Sequence, residues 1–66
     1  MISRRAIEGL GFQWIGIEGS KVRFLVGEQR CGLPESDSKT LQMLRCIRSE
    51  FDTADEFISF LTRLMA

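Results

Sequence analysis

Residues 12–26, FQWIGIEGSKVRFLV, decide how this chain folds. Two runs in which apolar and polar residues alternate flank Gly19-Ser20, and a Gly-Ser pair in that setting predicts a two-residue hairpin turn. Closing the hairpin there sets Ile17 opposite Val22, Ile15 opposite Phe24 and Gln13 opposite Val26. Side chains alternate along a strand, so these positions share one face. Glu18 and Lys21 meet beside the turn as a favourable cross-strand pair. Phe12, Trp14 and Leu25 then point to the reverse side, with Arg23 nearer the turn. The open end of that reverse face is too apolar to be left in water without a reason.

Outward from the hairpin, the periodicity changes. Ile2, Ala6 and Leu10 recur at i, i+4 and i+8 with Ile7 beside them, which predicts a helix near 3–9, capped by Ser3 and ended by Gly9 or Gly11. Downstream, Gly27-Glu28 is a second turn that sets Phe24 opposite Cys31 and Val22 opposite Leu33. This third strand is short, because Gly32 and Pro34 both weaken it. From Glu35 the pattern becomes helical. Leu41, Leu44, Ile47 and Phe51 form a stripe over 36–50, broadened by Thr40 and Met43 and capped by Ser36 or Asp37, while Cys46 points away from it. Thr53-Ala-Asp-Glu56 is a capping box for a last helix near 54–65. Its apolar face, Phe57, Phe60, Leu61, Leu64 and Met65 with Ala54 and Ile58, spans close to half the circumference. That is more than one flank of a small core needs. The expected fold is a single α+β domain over 1–66: a helix, a three-stranded antiparallel meander and two helices.

Sixty-six residues lie near the lower limit for an independent core. Such a core supplies only ~3–5 kcal/mol, so an oligomer or a partner is expected. Nine basic and nine acidic residues cancel, and the pI is near 6.2, unlike the basic balance of a general nucleic-acid binder. The charges are mildly segregated: residues 1–34 hold five basic and three acidic groups, and residues 35–66 hold four and six. The apolar runs are too short to span a membrane, and MISRRAIEGLGF has no signal-peptide core, so the expected location is the cytoplasm with Cys31 and Cys46 reduced.

The chain contains neither histidine nor tyrosine, which removes the commonest proton shuttle. Two cysteines fifteen residues apart make a poor metal site, and Asp55 and Glu56 suit the first turn of a helix. The glycines at 9 and 11 precede a strand, so they form no phosphate loop. No catalytic group, cofactor, metal or small-molecule substrate is expected.

Four segments, Leu10-Gly11-Phe12-x-Trp14, Glu18-Gly19-Ser20-Lys21-Val22-x-Phe24, Leu33-Pro34 and Thr40-Leu41-x-x-Leu44-x-x-Ile47, resemble HicA-type toxins over about residues 3–50. The resemblance implies a helix, three strands and a helix, akin to double-stranded-RNA-binding domains. The helix from Ala54 lies outside it. Members of that family cleave RNA with a histidine that directly follows the Gly-Ser turn, and Lys21 occupies the matching position here. A second histidine after the proline is missing too, with Ser36 in its neighbourhood. Lysine binds phosphate, but its reference pKa of about 10.4 makes it a poor proton shuttle near neutral pH. The resemblance therefore implies a fold whose catalysis has been lost.

Two functions compete. One is a non-enzymatic protein-binding module, an inhibitor or a dimer-forming accessory protein, using Phe12, Trp14, Arg23, Leu25, Phe60 and Leu64. Tryptophan and arginine are enriched at interface hot spots. The Trp14 face is then expected to be covered by the last helix or by another chain. The alternative is an RNA-binding module using Arg4, Arg5, Lys21, Arg23 and Arg30, reading a duplex by shape. Zero net charge favours the protein partner.

Overall fold

The computed structural model describes residues 1–66. In chain order the elements are α1 (Arg4–Gly9), β1 (Gln13–Glu18), β2 (Lys21–Val26), β3 (Gln29–Pro34), α2 (Ser38–Arg48) and α3 (Ala54–Met65). The strands form one antiparallel sheet in the order β1-β2-β3, so the α+β class and the element order are as expected. Gly19 and Gly27 each open a two-residue turn with φ of +63°, followed by a residue of negative φ. A positive φ at the first turn position alone is the pattern of type II′ turns, whose twist matches that of the strands they join.

The caps follow local chemistry. The Ser3 hydroxyl accepts from the Ala6 amide, and the Asp37 carboxylate accepts from both the Thr40 amide (3.1 Å) and the Thr40 hydroxyl (2.7 Å). These bonds to the ionised form hold the Asp37 carboxyl below its ordinary range. The Thr53 hydroxyl accepts from the Glu56 amide, but the return bond of a full capping box is not made. α2 runs over 38–48 and is shorter than the predicted 36–50. A turn from Pro34 O to Asp37 N occupies its expected start, and Arg48 Nη1 donates to Phe51 O past its end.

All three helices cover the same face of the sheet. Ile7 of α1, Leu41 of α2 and Phe57 of α3 join Ile2, Leu10, Phe12, Val22, Phe24 and Val26 in one buried cluster that contains no polar side chain. Phe12 stacks on Phe24 (centroids 5.3 Å apart) and on Phe57 (5.7 Å), which ties the start of β1 to the middle of the sheet and to α3.

Phe12 was expected on the reverse face, and the end of α1 explains why it is not. The Phe12 amide donates to Ile7 O (3.3 Å) and the Gly11 amide to Glu8 O (3.0 Å), with Gly11 at φ +91°. This is a Schellman motif. Such motifs bring the residue after the glycine against the apolar residue five earlier, here Phe12 and Ile7. Phe12 is thereby committed to the core. At the other end, the turn places Ile17 opposite Val22 on the same side. Phe12 and Ile17 are five residues apart, and strict alternation would put them on opposite faces. A β-bulge between Trp14 and Gly16 resolves the conflict by inserting one residue, Ile15.

The bulge corrects the expected register beyond Gly16. Glu18↔Lys21 and Ile17↔Val22 stand as read, but Trp14 lies opposite Phe24 and Gln13 opposite Leu25. Trp14 therefore packs against the core, half-buried, and Ile15 is exposed. β3 keeps the predicted pairs Phe24↔Cys31 and Val22↔Leu33.

Candidate interaction surfaces

The reverse face of the sheet has no helix over it. Alternation from the buried Val22, Phe24 and Val26 places Lys21, Arg23 and Leu25 there, with Glu18, Gly16 and Gln13 of β1 and Arg30, Gly32 and Pro34 of β3. Ile15, Glu18, Arg23, Arg30 and Cys31 line a depression of about 330 Å³. Arg23 lies flat across Gly32: a Cβ there would sit 3.3 Å from Arg23 Nη1. Its Nη2 is 3.8 Å from the Glu18 carboxylate. Glu18 thus pairs diagonally with Arg23, and Lys21, opposite it in register, makes no ion pair.

The six residues expected to bind a protein, Phe12, Trp14 and Leu25 with Arg23 on the sheet and Phe60 and Leu64 on the last helix, do not lie together. Phe12 is core and Trp14 is packed on the core, whereas Arg23 and Leu25 lie on the uncovered face. Phe60 is half-buried beside Phe51, with centroids 5.3 Å apart. Leu64 is 66% exposed. The five expected RNA contacts are divided as well. Lys21, Arg23 and Arg30 share the open sheet face, while Arg4 and Arg5 sit on α1, across the core from it. Arg4 is bonded to Glu8 at 3.2 Å.

A second apolar feature was not anticipated as a site. Phe12, Phe24, Val26, Cys31, Leu33, Leu44, Leu61 and Met65 surround, with Gly32, a groove of about 170 Å³ between α2, α3 and β3. Cys31 Sγ lies 3.8 Å from Met65 Sδ across it, and burial pushes the Cys31 thiol up from its ordinary value. Leu64 and Met65, at 66% and 43% exposure, stand at the end of α3 beside the groove. The signal was present in the width of the α3 stripe. Only Phe57 of that stripe is fully buried, and Phe60, Leu61, Leu64 and Met65 retain free surface.

No three His, Cys, Asp or Glu side chains gather where they could hold a metal ion. No helix is long and apolar enough to cross a membrane. Comparison of the chain with protein families, curated proteins and solved structures finds no match in any of the three.

Proposed function

We propose that this protein is a non-enzymatic protein-binding module, and that its docking surface is the apolar groove between α2, α3 and β3. The observation that carries the reading is the groove's lining, apolar at every residue but Gly32, with Leu64 exposed beside it on the same helix end. Such a patch presents both a pocket and a large apolar side chain able to fill one. A surface that is its own complement favours a second copy of the chain, related by a two-fold axis so that each Leu64 enters the other copy's groove. A 66-residue chain, near the lower size limit for an independent core, gains stability from that burial. Sedimentation across a dilution series tests the reading. The parent protein is expected to pass from dimer to monomer, and Leu64→Glu to be monomeric throughout with an unchanged circular dichroism spectrum. A parent protein monomeric at NMR concentrations would overturn it.

RNA binding keeps one supporting observation, the shared uncovered face of Lys21, Arg23 and Arg30. Three phosphate contacts would give a slope of log K against log salt of about −2 to −3, so little binding is expected at physiological salt. Incubation with structured and unstructured RNA should leave both intact. Cleavage that vanished in Lys21→Ala would refute the non-enzymatic reading.

A further inference from the structure

Arg5 of α1 meets Arg45 and Arg48 of α2 along a shallow cleft of about 170 Å³, whose other lining residues are Ala6, Gly9 and Leu10. The molecule contains only two ion pairs, Arg4–Glu8 and Arg23–Glu18, so none of these three arginines has a carboxylate within 4.0 Å. Arg48 is the one of the three that is partly buried. Its Nη1 donates to the Phe51 carbonyl, while its Nε is shielded from solvent and has no acceptor. With Nε shielded and Nη1 taken, Nη2 is the Arg48 nitrogen left for a ligand, since it makes no hydrogen bond within the chain. Arg45 and Arg48 also suit the C-terminal turn of α2 on dipole grounds, but that does not account for Arg5 arriving from another helix. Gly9 leaves the floor open, since a Cβ there would meet nothing within 4 Å.

We propose that this cleft binds a phosphate group, as inorganic phosphate or a phosphomonoester. Guanidinium forks match the geometry of both carboxylate and phosphate oxygens. Three uncompensated cations at one place favour the ligand with the higher charge, and a phosphomonoester carries about −1.5 to −2 at neutral pH. A phosphodiester backbone carries one charge per residue and is held by a track of cations. The other cations supply little of such a track: Lys21, Arg23 and Arg30 lie on the uncovered face of the sheet, across the core, and Arg4 is paired with Glu8. The site is distinct from the apolar groove, so its test is independent of the association proposed above.

Titration of the 15N-labelled protein with inorganic phosphate, at ionic strength held constant with sodium chloride, tests the proposal. The amide resonances of Ala6, Gly9, Leu10 and Arg45 are expected to shift together along one saturable curve. Arg45→Ala, an exposed position that makes no side-chain hydrogen bond, is expected to weaken binding about tenfold or more, as a lost charged hydrogen bond implies. Arg5→Ala should do the same. Arg30→Ala, which removes the same charge from the uncovered face, should leave binding unchanged. Equal weakening by Arg30→Ala, or shifts spread over Lys21, Arg23 and Arg30, would mean general charge screening and overturn the site. A ten-residue oligouridylate without terminal phosphates separates the ligand sources. Weaker binding than inorganic phosphate supports the phosphomonoester assignment, and saturation of the cleft at lower concentration would overturn it.

Discussion

β1 is anchored in different ways at its two ends. At its start, Gly11 carries φ +91° and abuts α3, so that a Cβ would lie 2.8 Å from the Ala54 Cβ. At its end, Gly19 carries φ +63° and has nothing within 4 Å. The first glycine is constrained by backbone conformation and by packing, the second by conformation alone. The helix end imposes a side on Phe12 through the Schellman bonds and the packing of Gly11 on α3, and the turn end imposes a side on Ile17 through local pairing alone. Neither end yields to the other, so the mismatch of one residue collects between them, at Ile15, where the exposed face can take it.

The largest test of this contrast is Phe12→Ala. Phe12 stacks between Phe24 and Phe57, and truncating a buried phenylalanine costs about 3–5 kcal/mol. That is most of what so small a domain has, so urea or thermal unfolding monitored by circular dichroism should find the variant largely unfolded at room temperature. Gly11→Ala comes next. A positive φ costs a non-glycine residue about 1–2 kcal/mol, which is the whole cost expected of Gly19→Ala, whereas Gly11→Ala adds about 1–3 kcal/mol of overpacking against Ala54. Equal losses at the two glycines would show that the contact with α3 does not hold the helix end.

Deleting Ile15 probes the bulge itself. With that residue gone, Phe12 and Ile17 are four apart, and alternation satisfies both ends without a bulge. Stability should change by about 1 kcal/mol or less, and Trp14 should keep a blue-shifted emission protected from acrylamide. A Trp14 turned open to quencher would mean that the turn, rather than the α1 terminus, sets the side of the strand. The smallest effect concerns the cysteines. Cys31 faces the covered side and its thiol titrates above the ordinary value because of burial, so its thiolate fraction at neutral pH is reduced; Cys46 is exposed. A thiol reagent should label Cys46 first, and the rate at Cys31 should climb as pH rises toward its raised pKa. Faster labelling of Cys31 at neutral pH would count against the partial burial of its thiol beside Met65.

Local chemistry made much of the architecture legible in the residues alone. The Gly-Ser and Gly-Glu turns, the caps at Ser3, Asp37 and Thr53, the change from period two to period 3.6 after Pro34, and the pairs from Glu18↔Lys21 to Phe24↔Cys31 all arise between residues close in the chain or locked by a turn. The side of the sheet taken by Phe12 and Trp14 was not legible by alternation. It depends on a glycine read as one of two helix stops, on the α3 surface that Gly11 must approach, and on a bulge whose one local signal is Gly16 inside the strand pattern. The candidate sites divide along the same line. The surplus apolar width of α3 was visible as a stripe, but the groove it completes needs Leu33 and Leu44 from other elements. Arg5 and Arg45 stand forty positions apart, and periodicity relates residues only within one helix or strand. Their meeting required two helices to settle side by side on the same face of the sheet, which long-range apolar burial achieves and short-range pattern does not encode.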